Sequence, residues 1–159
     1  MKYFTINELT KSETAQRKGI NNSPNFSIKQ ALTALVDNTL DPLRESYGKP
    51  IIVTSGYRCS KLNTVVGGAI SSQHVKGEAA DIQDISRDSK KNKVLLKLLL
   101  NSNIPFDQVI CEYPDAEGNP SWIHVSYTMR RANRKQLLTA VYEIKNGKKR
   151  TVYKSGIKL

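Results

Sequence analysis

Apolar positions recur at helical spacing through the first forty-eight residues, then give way to short β-branched runs after Lys49-Pro50. Thr5, followed three residues on by Glu8, predicts a capped short helix; Ser12 caps a second, which Gly19 ends. From Ser27 onward Ile28, Ala31, Leu32, Leu35 and Val36 mark one face of a longer helix. Pro42 kinks or interrupts that helix, and Gly48 stops it. Ile51-Ile52-Val53-Thr54 reads as a buried strand leading into the loop Ser55-Gly56-Tyr57-Arg58. Ser60 to Val66 reads as a short helix closed by Gly67-Gly68, and Glu78 to Gln83 as a strand. Arg87 to Asn101 reads as an amphipathic helix whose Val94, Leu95, Leu98 and Leu99 form a core stripe. Two strands follow, Phe106 to Tyr113 and Trp122 to Tyr127, joined by the turn-rich segment 114–121. Leu137 to Ile144 and Arg150 to Tyr153 flank Asn146-Gly147 as a hairpin. Helices first and strands afterwards predict an α+β fold: a mainly antiparallel sheet with the N-terminal helices packed on it.

Length and composition narrow the class. A chain of 159 residues can bury roughly 70% of its unfolded surface without staples. With 38% hydrophobic and 25% charged residues, disorder, collagen-like fibres and disulfide miniproteins are excluded. No apolar run approaches the roughly 20 residues of a membrane span. The segment Met1 to Glu8 lacks an apolar core followed by small residues, so the expectation is cytoplasmic synthesis without a signal peptide. Cys59 and Cys111 are then read as reduced, inert thiols. Net charge is +11, and it is concentrated: from Thr128 onward ten Lys or Arg face one acid, Glu143. Such an end favours nucleic acid, an anionic membrane or an acidic wall polymer, or serves as a solvated face.

Candidate chemistry gathers around the two histidines, His74 and His124. Gly77 permits a tight bend after His74, and the strand that follows can return Asp81 beside the imidazole. Asp81 sits between Ala79-Ala80 and Ile82, where an unpaired charge costs several kcal/mol, so it calls for a cation. Zinc takes imidazole nitrogen and carboxylate oxygen, with three protein ligands and one open position at catalytic sites. His74, Asp81 and His124 make such a set.

At these residues the chain resembles a known family. Ser72-x-His74-x-x-Gly77-x-Ala79-x-Asp81, then Trp122-x-His124-Val125-Ser126, is similar to the zinc D-alanyl-D-alanine carboxypeptidases and related phage endolysin peptidases. Those enzymes share their metal-site fold with the hedgehog signalling domain. The likeness also takes in Phe4-Thr5-x-x-Glu8-Leu9, Ser12, Thr14-Ala15, Ser55-Gly56-Tyr57-Arg58, Leu62-Asn63, Val66-Gly67-Gly68 and Phe106-Asp107-Gln108. It spans Phe4 to Tyr127 and implies a zinc peptidase acting on the peptide stem of bacterial peptidoglycan. It implies one zinc ion, held by His74, Asp81 and His124. Arg58 matches the family's active-site arginine and could hold a substrate carboxylate or the oxyanion. Ser72 orients its loop or contacts substrate, Trp122 packs the sheet or a substrate side chain, and Asn63 and Gly68 are structural.

The general base departs from the better-known members. Several carry an acid three residues before the last histidine, where this chain has Ser121; another branch has a histidine two residues before, where it has Trp122. The nearest acids are Glu112, Asp115 and Glu117. Glu112 is favoured if its strand pairs with that of His124 so that the two lie opposite or diagonal; a one-residue slip would present Cys111 instead. Glu117 is the main rival.

The resulting expectation is a monomer with a peptidase domain over 1–127 and a basic extension over 128–159, a hairpin continuing the same domain. The function expected is hydrolysis of a peptidoglycan stem amide, as carboxypeptidase or endopeptidase, at the cell wall after phage-type release. The basic extension would attract anionic wall polymers or lipopolysaccharide. A non-catalytic zinc module of the same fold and, more weakly, a nucleic-acid-binding protein are the competing classes.

Overall fold

Capping chemistry sets the helical half of the chain. The computed structural model describes residues 1–158; Leu159, last of the basic extension, lies outside them. Helix α1 (Ile6–Thr10) opens with a full capping box between Thr5 and Glu8, and Ser12 caps α2 (Glu13–Arg17) through the Ala15 amide. Helix α3 (Phe26–Leu35) starts one residue before Ser27, capped by Asn25, which accepts from the Ile28 amide. A π turn over Val36–Leu40 leads straight into α4 (Asp41–Tyr47). Pro42 therefore does not break the path. It falls in the first turn of α4, where its missing N–H costs little, after a turn wide enough to admit the ring.

The strand half forms a six-stranded sheet in the order β1-β2-β4-β3-β5-β6. Its strands are β1 (Ile51–Ser55), β2 (Ala79–Asp84), β3 (Gln108–Glu112), β4 (Trp122–Ser126), β5 (Gln136–Lys145) and β6 (Lys148–Ser155). Between them lie α5 (Ser60–Val65), a 3₁₀ turn at Gln73–Lys76 and α6 (Ser89–Asn101). Every neighbouring pair is antiparallel except β3 with β5, which run parallel. The fold is α+β.

Strand alternation divides the sheet into two unlike faces. One face, with Ala80, Ile82, Val109, Cys111, Ile123 and Val125, packs on the leucines of α3, α4 and α6. The α6 stripe differs from the sequence expectation: Leu95, Leu96 and Leu99 are buried, Leu98 half-buried, and Val94 is 58% exposed. The stripe is rotated because Asn92, a polar residue, is buried in it. Its side chain accepts from the Asp84 amide at 2.8 Å and donates to the Pro120 and Ser121 carbonyls. One asparagine thus fixes the loop that enters β4. The other face of the sheet is open and carries the site.

Candidate active site

Asp81 and His124 are direct partners across β2 and β4, so their side chains leave the sheet together on the open face. His74 reaches them from the 3₁₀ turn. Ser72 caps that turn through the His74 amide, and Gly77 ends it at φ +69°, a conformation that favours glycine. The ring is held from behind: His74 Nδ1 donates to the Gly56 carbonyl at 2.7 Å. Gly56 itself must lack a side chain, because a Cβ there would strike the Leu9 carbonyl. The Arg58 amide donates to the His74 carbonyl at 3.2 Å, which ties the β1 exit loop to the turn.

With Nδ1 carrying the proton, His74 Nε2 presents a lone pair toward the open face. It lies 3.1 Å from His124 Nδ1 and 3.3 Å from Asp81 Oδ1, and the last two are 3.1 Å apart. Ligand atoms on a tetrahedral metal at about 2.0–2.1 Å stand about 3.3 Å from one another. The triangle has that size. Burial lowers the His124 pKa, against the pull of Asp81, so the imidazole stays neutral and keeps a lone pair. Burial works against charge on Asp81, but its contacts with the imidazole groups lower its pKa below the ordinary range, so this position supplies a carboxylate. The His74–Gly56 contact is the kind of outer partner that orients a metal-ligating imidazole. The donor set, two imidazoles and a carboxylate, therefore fits zinc.

Around this cluster the cleft is polar and unsatisfied. Arg58 Nη2 lies 3.7 Å from Asp81 Oδ2, while its Nε is buried without a partner among the described residues. Glu112 pairs with Trp122 across β3 and β4 and is diagonal to His124, on the same face. Its neighbour Cys111 points into the core. Burial first, and then the Asp81 carboxylate, push the Glu112 carboxyl up to about 8, against the pull of Arg58. Ser72, Trp122, Arg58 and Glu112 all line one cleft of about 740 Å³ with His74 and His124. Glu117 does not. It is exposed in the β3–β4 loop, where its carbonyl receives Lys93, and Asp115 is engaged with Asn119. Asn63 is buried and donates to the Ala69 carbonyl, and Gly68 has no room for a Cβ beside it.

Two parts of the site were not assigned to it from the sequence. The first is a buried ionic latch. Asp107, wholly buried, receives both prongs of Arg131 at 2.6 and 3.0 Å, Arg134 at 2.7 Å and Gln73 at 2.9 Å. It joins the segment after β4 to the residue beside His74. Arg130 similarly grips buried Glu78. The second is the C-terminal hairpin, whose Leu138, Thr151 and Tyr153 line the cleft. Only the pairing of β5 with β3 brings it there, and no local pattern encodes that pairing.

The sequence model of the family described as Peptidase M15 matches residues 2–126. No curated protein matches the chain. The matched span carries every residue of the His-Asp-His cluster and ends where β4 ends. By that match, over more than three-quarters of its length, the chain belongs to the Peptidase M15 family of metallopeptidases.

Proposed function

We propose that the chain is a zinc peptidase that hydrolyses an amide bond in the peptide stem of bacterial peptidoglycan. The observation that carries this reading is the triangle of His74 Nε2, Asp81 Oδ1 and His124 Nδ1 with the Glu112 carboxyl in the same cleft. These three residues would hold the ion. Bound there, zinc supplies Lewis acidity, polarising an amide carbonyl and lowering the pKa of water toward about 7. Glu112 accepts the proton of the attacking water and returns it to the departing amine. Arg58 supplies a fixed donor fork to the carbonyl oxygen as charge develops there, or to a substrate carboxylate. Trp122 and Ser72 complete the wall against which substrate lies.

A second groove, of about 760 Å³, continues along β1 past Tyr57 and Arg87 and shares Arg58, Val66 and Asp81 with the first. A cleft open on both sides of the cluster leaves room for chain on both sides of the scissile bond. That favours an endopeptidase over a carboxypeptidase. The exposed charges at the tip of the hairpin would draw the enzyme to anionic wall polymers or lipopolysaccharide. Its place of action would be the wall, reached from the cytoplasm by phage-type release. Mass spectrometry of purified muropeptides, digested with and without chelator, tests the whole reading. New stem fragments that disappear with chelator are expected. Stoichiometric zinc without any cleavage would make the chain a non-catalytic module.

A further inference from the structure

The hairpin lies wholly beyond the matched residues 2–126, yet it forms part of the cleft. β5 runs parallel to β3 with Ala140 beside Glu112, and β6 places Tyr153 beside Ala140. Partners in register share a face of the sheet. Trp122, Glu112, Ala140 and Tyr153 therefore form one row across four strands, on the face that carries His124 and Asp81. Ala140, small and fully buried, lies between the acid and the phenol, so the two longer side chains stand on either side of it.

Tyr153 is presented by a pinned strand. Tyr113 donates to or accepts from Thr151 Oγ1 at 2.7 Å, and its ring stacks on Tyr142 at 4.1 Å. Gln108 Nε2 donates to Gln136 Oε1 at 2.6 Å at the other end of the β3–β5 ladder. In contrast to Tyr113, the Tyr153 hydroxyl has no hydrogen-bond partner among the described residues, and the side chain is half-exposed to the cleft. Burial, then the nearby Glu112 and Asp81 carboxylates, raise its pKa, so it remains a donor at neutral pH. A peptide backbone lying over Glu112 brings carbonyl oxygens that need donors. On this side of Glu112 the row offers one, the phenol.

We propose that Tyr153 is a substrate-binding residue, its hydroxyl donating to a backbone carbonyl of the bound stem peptide, and that the C-terminal hairpin is a wall of the active site. This rests on the peptidase reading above. The test compares Tyr153→Phe and Tyr153→Ala with wild type on a soluble cross-linked muropeptide. Kinetics, zinc content and melting temperature are measured together. Binding of the same muropeptide to metal-free protein is followed through the fluorescence of Trp122, the chain's one tryptophan, which lines the cleft. Tyr153→Phe is expected to keep zinc and melting temperature while lowering kcat/KM about tenfold, the worth of one such hydrogen bond. Binding to the metal-free protein should weaken by a similar factor, and Tyr153→Ala should weaken it further. Unchanged kcat/KM and unchanged binding in both variants would overturn the proposal. A wild-type protein that cleaves no wall peptide instead defeats the peptidase reading, which separates the two failures.

Discussion

Glu112 and His124 stand diagonally across the β3–β4 ladder: Ile110 is the direct partner of His124, and Glu112 that of Trp122. A diagonal neighbour on one face is within reach of a long side chain. The acid therefore shares the cleft with the His-Asp-His cluster without being one of its members.

Replacing that acid separates binding from turnover. Glu112→Gln is expected to retain zinc and lower kcat by about 10²–10⁴, the usual worth of a positioned acid or base. The metal-free variant should also be at least as stable as wild type at neutral pH. The folded-state carboxyl, raised to about 8, resists the ionisation that the unfolded chain undergoes near 4.3. Wild-type stability thus declines as pH rises between those values, and the variant escapes that decline. Metal analysis, steady-state kinetics and melting curves against pH check all three. Loss of activity in Glu117→Gln with none in Glu112→Gln would move the base to the loop.

Metal removal should be visible in stability. At free zinc a hundred times the dissociation constant, binding adds about 2.7 kcal/mol. For a domain of this size that is roughly 5–10 °C in melting temperature. Chelator should abolish the increment in wild type, and His74→Ala and His124→Ala should show none. Full zinc occupancy in both single variants would refute the ligand assignment.

The Asp107 latch predicts an acid-sensitive fold. Burial opposes its charge, but Arg131, Arg134 and Gln73 hold the carboxyl well below the ordinary range. Its contribution is complete above the unfolded-chain value of about 3.9 and is lost as pH falls from there through the folded-state value. Asp107→Asn should lower stability by about 2–3 kcal/mol at pH 7. It should also flatten the acid limb of a stability–pH curve. An acid limb identical to wild type would count against the latch.

Salt dependence distinguishes wall attraction from catalysis. Arg130, Arg131 and Arg134 are engaged by Glu78 and Asp107, so they are poor probes of free charge. Lys145, Lys148 and Arg150, exposed at the hairpin tip, are the informative ones. Replacing them with Gln should weaken sedimentation with whole walls, as should raising salt until the screening length is about 8 Å. Cleavage of a short soluble stem peptide should change little. Wall binding indifferent to both treatments would leave the tip a solvated surface.

Local chemistry was enough to read most of the elements, and the resemblance to a known family joined His124 to His74 and Asp81. Caps, glycines and apolar periods act over three or four residues, so Thr5, Ser12, Gly48 and the β-branched Ile51–Thr54 announce their roles by neighbours alone. The spacing of His74, Gly77 and Asp81 was likewise visible because one turn and one strand connect them. What tertiary structure decided is everything that depends on partners distant in sequence. The rotation of α6 that exposes Val94 follows from Asn92 reaching the β4 loop. The side on which Glu112 emerges follows from the register of β3 on β4, since a one-residue slip would have exchanged it for Cys111. The parallel docking of β5 on β3 carries the hairpin to the cleft and leaves Tyr153 beside Glu112. Hydrogen-bond ladders between strands are alike at every residue, so their register is selected by burial of the whole face and not by any segment that a local pattern can mark.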